Sequence, residues 1–316
     1  MSVVIPTHER RAQLDAVLDE ILANTAPAEV VVVDDGSTDG TDAMLRRRAE
    51  AEPRLRAVVQ ENAGAMSARL AGARAATGDV VLLLDDDVVP EPGIAERHAR
   101  HHEAGDGLVV VGYMPVAPAT GDADSYPRDI YARTYEQHCR GWEAEPDRVL
   151  HTMWAGHASL RRDALLALEP RLRDGGGGYH EDLAFGLICA DAGLHGTFDR
   201  ALRSRHLYAR SPAAWRRDAA SSGRGMAEIH AGHAAALGPF DPAAVERGLP
   251  APAAWLVRRS RRSPWPRRAL LLAIQILGAA RVLRVQRFAA GLLWRIDHRE
   301  AAIRRTAELP LPDQTS

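Results

Sequence analysis

Lysine is absent from this chain of 316 residues, so all 40 basic side chains other than histidine are arginine. With abundant alanine, that bias points to a GC-rich bacterial genome and carries no function of its own. Cysteine is scarce as well. The two present, Cys139 and Cys189, lack metal-ligand spacing, which argues against a disulfide scaffold or a zinc site and predicts a reducing compartment. No apolar run is long enough to span a bilayer: the longest, at 269–280, is interrupted by Gln275. Strand-like residues begin at Ser2 with no basic segment and apolar stretch before them, so no cleaved signal peptide is expected. These absences predict a cytoplasmic protein, at most peripheral at the inner membrane face.

What is there is an ordinary globular composition, 46% hydrophobic, enough for one large α/β domain or a domain with an appendage. The 40 basic and 42 acidic residues nearly cancel, yet the charge is segregated. Residues 258–305 hold 13 arginines against two acids, Asp297 and Glu300, so the tail has its own job or its own partner.

The first half alternates short apolar runs with amphipathic stretches, the pattern of βαβ units and a mainly parallel sheet. It predicts strands at 2–6, 29–33, 55–59, 80–84 and 108–112, with helices at 12–24, 39–51, 65–76 and 93–103. Residues 117–129 turn polar and lose periodicity, which reads as a loop. A strand at 149–154, a helix at 161–168, a glycine hinge at 175–178, a helix at 181–192 and further strand at 196–206 complete a domain over 1–212. Two halves are expected within it, over 1–115 and 116–212. Residues 213–316 read as an arginine-rich helical extension.

The strongest local signal is Val80-Val-Leu-Leu-Leu84, five apolar residues without alternation that end in Asp85, Asp86 and Asp87. Such a run fits a strand covered on both faces. Two carboxylates about 4 Å apart repel by roughly 4 kcal/mol at an effective dielectric near 20, so a divalent cation is their natural partner. Oxygen ligands beside phosphate favour Mn2+ or Mg2+; the alternative is a solvated turn. A second apolar run, Val30 to Val33, ends in Asp34 and Asp35 and a turn, Gly36-Ser-Thr-Asp-Gly40. In an open parallel sheet ligands bind beyond the carboxyl ends of the strands, which sends Thr7, Asp35 and the three later acids to one crevice.

Five blocks in this order resemble the GT-A glycosyltransferases of family 2: Val3-Val-Ile-Pro-Thr7, Val33-Asp-Asp-Gly-Ser-Thr-Asp39, Asn62-Ala-Gly64 with Ala68-Arg69 and Gly72, Gly78 to Asp87, and His180-Glu-Asp182. The resemblance covers roughly 2–210 and implies that 1–115 is the nucleotide-sugar half and 116–212 the acceptor half. It implies a GT-A fold, a Rossmann-like mainly parallel sheet flanked by helices, and transfer with inversion from a nucleotide sugar, most often a UDP-sugar. It assigns Pro6, Thr7, Asp35 and Arg69 to the nucleotide. Asp85 and Asp87 become the metal and diphosphate pair, with Asp85 nearer the ribose, and Asp86 the intervening donor-side position. Asp182 becomes the base that takes the acceptor proton, with Glu181 orienting the acceptor. His206 is implied as a further metal ligand, and Trp154 and His157 as acceptor contacts, although Trp154 also fits core packing.

His8 and Glu9 stand where the family often has an aromatic residue and asparagine. No Gln-x-x-Arg-Trp pattern follows Asp182, which favours transfer of single sugars over polymerisation. The acceptor is a small molecule, a glycan or a lipid-linked hydroxyl. Two alternatives stay open at this point, a sugar-phosphate nucleotidyltransferase, whose Gly-rich basic loop is missing from 6–13, and a non-catalytic sugar-nucleotide or glycan binder. The tail predicts helices with one buried face, packed on the domain or dimerising, or else bound to anionic lipid headgroups; no nucleic-acid module accompanies its charge.

Overall fold

In the computed structural model, residues 1–103, 105, 107–116, 125–174 and 178–309 are described. They form two compact units, one from the described parts of 1–117, 135–177 and 181–208, the other from those of 118–134, 178–180 and 209–316.

The first unit is built on a sheet of order β3-β2-β1-β4-β7-β6-β8-β5. Its strands are β1 Ser2–Thr7, β2 Glu29–Asp35, β3 Leu55–Gln60, β4 Val80–Leu84, β5 Val88–Pro90, β6 Leu108–Tyr113, β7 His157–Arg161 and β8 His195–His206. The helices between them are α1 Arg11–Asn24, α2 Thr41–Ala51, α3 Ala65–Ala75 and α4 Ile94–His101, then α5 Tyr126–Ala144, α6 Arg162–Ala167, α7 Glu169–Asp174 and α8 Glu181–Asp191. The uninterrupted runs Val30–Val33 and Val81–Leu84 are 0% exposed, as strands covered on both faces must be. Strands β3, β2, β1 and β4 pair in parallel. Because the chain leaves β1 toward β2 and β3 and returns to pair β4 on its other side, a switch point opens beside β1.

The sheet is mainly parallel, as expected, and its antiparallel pairs fall in the second half. Strand β7 runs antiparallel to both β4 and β6, β8 lies parallel to β6, and β5 antiparallel to β8. The strand expected at 149–154 does not form. Turns occupy that stretch, with Val149 N–H donating to the Pro146 carbonyl at 3.1 Å and His151 N–H to Arg148 at 3.1 Å. Val149 and Leu150 are buried all the same, wedged against Gly186 and Gly196, so the apolar run reports packing and not pairing. Helix α5 replaces part of the expected polar loop, of which 117–124 lie outside the described residues, as do 175–177 of the glycine hinge.

The second unit is helical: α9 Pro212–Gly232, α10 Ala234–Leu237, α11 Ala251–Arg259, α12 Trp265–Ala279 and α13 Leu283–Glu308. Ser211 caps α9, its hydroxyl accepting from Ala214 N–H at 3.2 Å, and Pro212 takes the first turn where no amide partner is needed. Trp215, Val257, Leu270, Ile274, Leu293 and Ile296 make its core. Each such side chain contributes about 2 kcal/mol by burial. Gly223 lets α9 and α13 cross closely, since a Cβ there would lie 2.0 Å from the His298 carbonyl. No described helix is long and apolar enough to cross a membrane.

Candidate active site

The carboxyl ends of β1, β2 and β4 deliver the expected acids to one edge of the first unit. Thr7 ends β1 and donates its hydroxyl to Asp86 Oδ2 at 2.7 Å, while Pro6 sits one residue earlier, opposite Val33. Arg10, which follows the strand, bridges Asp86 Oδ1 at 2.8 Å and Asp87 Oδ2 at 2.9 Å. On the other oxygen of Asp87, His206 Nε2 stands 3.4 Å away at the end of β8. The antiparallel pairing of β5 with β8, which places Val88 opposite His206, sets that approach.

A second guanidinium joins the acids at the end of β4 to those of α8. Arg69, 3% exposed, projects from α3 and donates from Nη2 to Asp85 Oδ1 at 2.8 Å and from Nη1 to Asp182 Oδ1 at 3.1 Å. Glu181 accepts from the Met66 amide at 2.8 Å, which locks the start of α8 onto the start of α3. Gly156 leaves room for the Asp85 carboxylate: a Cβ at that position would lie 2.4 Å from Asp85 Oδ2, and its carbonyl accepts from the Asp85 amide at 3.0 Å.

These environments divide the four acids whose titration is shifted. Burial pushes the Asp86 carboxyl up to about 6 in spite of Arg10 and Thr7. Burial also raises Asp85, against the opposing charge of Arg69, and raises Glu181. For Asp87 burial acts the same way but is outweighed by the His206 hydrogen bond and by His206 and Arg10 charge, which hold it well below the usual carboxylate range. Burial disfavours the Arg69 cation, yet Asp182 and Asp85 more than offset that and keep it firmly charged. Asp87 is thus an ionised oxygen donor beside an imidazole, a donor set suited to Mn2+. Among the described residues no three His, Cys, Asp or Glu side chains converge as a ready-made ion cage.

Asp35 is engaged at both oxygens, accepting from Gln60 Nε2 at 2.6 Å, Ala63 N–H at 2.9 Å and Gly64 N–H at 2.9 Å. It fixes the 60–64 segment beside β2. His8 Nδ1 lies 2.9 Å from the Asp35 carbonyl and 3.1 Å from Asn62 Nδ2, so the departure at position 8 is built into the same rim.

Two expected acceptor contacts stand elsewhere. His157 is 0% exposed and turned into the unit, where its Nε2 lies 3.0 Å from His98 Nε2 and its ring covers Gly112. Strand alternation sets this orientation: β7 sends His157 and Ser159 to the same inner face, where Ser159 Oγ meets His98 at 2.8 Å and His102 at 2.8 Å. Trp154 packs on α5, its ring centroid 5.0 Å from Tyr135 and 5.4 Å from His138. Both cysteines are free and buried, with burial pushing each thiol up to about 12, which leaves them inert.

Arg10 and Gln60 were not foreseen. With every basic side chain an arginine, nothing marks Arg10 apart from its neighbour Arg11; the one available signal was its position three residues beyond a strand end.

The sequence model of Glycosyl transferase family 2 matches residues 2–167. An uncharacterised glycosyltransferase of Nostoc sp. is 35% identical over 118 residues, 37% of either chain. The glucosyl-dolichyl phosphate glucuronosyltransferase of Haloferax volcanii is 28% identical over 172 residues, 52% of this chain and 54% of that one. The chain thus spans between 37% and 54% of the length of these relatives. In fold, it is similar to a mannosyltransferase of Pyrobaculum calidifontis solved with GDP-Man and Mn2+, at a TM-score of 0.59 and 20% identity, over 97% of this chain and 87% of that one. With the family's model covering more than half of the residues, the chain belongs to glycosyl transferase family 2.

Proposed function

We propose that this protein is an inverting, metal-dependent glycosyltransferase that moves a single sugar from a nucleotide-sugar donor, a UDP-sugar in the first instance, to a hydroxyl acceptor. The observation that carries this reading is the Arg69 bridge, which holds the strand-end acid Asp85 and the helix-start acid Asp182 on one guanidinium. Donor-side and acceptor-side carboxylates are therefore near enough to serve one reacting carbon.

In this reading Asp35 serves the nucleoside end, where release of the Gln60 amide opens a lone pair on Oδ1, beside the one that accepts from Ala63 N–H, for the imide N–H of uracil. Pro6 and Thr7 flank the ribose, and Asp86 positions Thr7 and Arg10. Asp87 and His206, with Asp85 beside them, would hold Mn2+ or Mg2+, which supplies Lewis-acid charge against the departing diphosphate. Arg10 and Arg69 add planar donors toward the same developing charge. Asp182 takes the acceptor proton as the hydroxyl oxygen attacks C1 from the face opposite the leaving group, and Glu181 fixes the helix start that carries it. A lipid-linked acceptor is within this class, and the Haloferax relative is named for a dolichyl phosphate substrate.

The test is a thermal-shift screen of nucleotide sugars with and without Mn2+, followed by transfer assays on the best donor. Asp182→Asn and Asp87→Ala are expected to lower kcat by about 100-fold or more while the fold persists. Near wild-type transfer by either variant defeats the mechanism. Pyrophosphate released from a nucleoside triphosphate would instead assign a nucleotidyltransferase.

A further inference from the structure

Apart from Val59 and Tyr179, the large exposed apolar side chains among the described residues fall on α11, α12, Val282 and the first turns of α13. On α12 they form one stripe. Trp265, Leu272 and Ile276 recur with Ala269 at intervals of three and four, while Leu270 and Ile274 on the opposite side enter the core of the second unit. Leu272 and Ile276 are each 57% exposed, far more than a core-facing helix leaves in water. Further exposed apolar residues flank it in sequence. Trp255 of α11 lies 6.0 Å from Trp265 between ring centroids, and Val285 and Phe288 follow the turn that leads into α13.

Charge rims this apolar face. Arg259, Arg262 and Arg268 lie near the tryptophan end, and Arg281 and Arg284 at the other; none of the five makes an ion pair among the described residues. Arginines that serve the fold of this unit behave otherwise, as Arg267 with Asp297 at 2.7 Å and Arg299 with Glu246 at 2.9 Å show. An apolar stripe alone would leave its occupant open. The rim narrows it: a two-fold interface between copies sets the same patch against itself and brings these arginines face to face.

We propose that this face docks the protein on an anionic phospholipid bilayer. Helix α12, of 15 residues, lies in the plane of the interface with Leu272 and Ile276 below the headgroups. Trp255 and Trp265 sit at headgroup depth, and the arginines meet lipid phosphates. The surface belongs wholly to the second unit, so the inference stands independently of the chemistry assigned to the first.

The experiment is flotation of the full chain with vesicles of phosphatidylcholine alone and of phosphatidylcholine mixed with phosphatidylglycerol. Binding is expected to the mixed vesicles, to weaken as salt rises, and to fall by about fivefold for each of R268A, R281A and R284A. The L272E/I276E double variant is expected to stay unbound, with an unchanged circular dichroism spectrum. Equal binding to both vesicle types, or binding that none of these variants alters, overturns the proposal. So does self-association in sedimentation equilibrium that L272E/I276E abolishes while no vesicle is bound, which would assign the face to a second copy.

Discussion

Replacing Arg69 by methionine removes the cation that two carboxylates share while keeping much of the side-chain volume in place. Breaking one partner out of a fully buried ion pair costs about 3–5 kcal/mol. Here the guanidinium side chain is 4% exposed but Asp85 and Asp182 are 34% and 35% exposed, so water screens what is left behind. The discount brings the expected loss for R69M to about 2–3 kcal/mol. D182N alone should cost at most about 1 kcal/mol, because Asp85 remains on the same guanidinium. In the double variant one of the stranded charges is gone, and R69M/D182N should recover about 1 kcal/mol relative to R69M. The cycle therefore predicts a coupling of about 2 kcal/mol between the two positions. Urea denaturation of the four proteins at neutral pH, followed by circular dichroism, measures it. If the two substitutions add to within about 0.5 kcal/mol, the bridge is not a shared electrostatic unit and the argument built on it fails.

Acid should destabilise the protein through the histidines behind the sheet. Burial holds His157 at about 3, His102 at about 4 and His98 well below its ordinary value, with Arg97, Arg161 and His101 as the neighbouring charges. Folded values below the unfolded value of about 6.5 mean that their stabilising contribution is complete above that pH and declines below it, by about 1.4 kcal/mol per pH unit for each histidine. Urea midpoints measured between neutral pH and mildly acidic pH should fall less steeply for H157Q than for the parent, and parallel slopes would exclude the cluster as the cause. Gly156→Ala tests the close approach to Asp85. Its Cβ would lie 2.4 Å from Oδ2, so kcat/KM for transfer should drop by about 100-fold with little change in the urea midpoint, and activity within twofold of the parent would refute the constraint.

How much of this was legible without coordinates follows from what kind of signal each part leaves. Runs such as Val30–Val33 and Val81–Leu84 announce themselves, since few sequences place unbroken β-branched and leucine residues outside a doubly covered sheet. The strand-end rule then sent Thr7, Asp35 and Asp85 to one edge. Val149 and Leu150 misled because a short apolar run has no period to distinguish a strand from a buried turn. Helix α5 was hidden because Pro127, Gly141 and many polar residues interrupt its pattern. The Arg69 bridge joins residues 113 apart in sequence, and no local pattern encodes such a partner. The inward turn of His157 could not be read without register, because one residue decides which face of β7 a side chain takes.

The long strand β8 sets a further constraint, on how this chain tolerates change in length. Its pairing with β6 skips from Gly112 opposite Asp199 to Tyr113 opposite Arg203, and three residues beyond that jump His206 meets Val88 of β5. A deletion within the skipped stretch 200–202 would shorten a bulge and leave His206 in register. An added residue between 203 and 206 has no slack to enter, and would turn the imidazole away from Asp87. Lineages of this chain are therefore expected to vary in length at the bulge and to hold the last four positions of β8 to a fixed count.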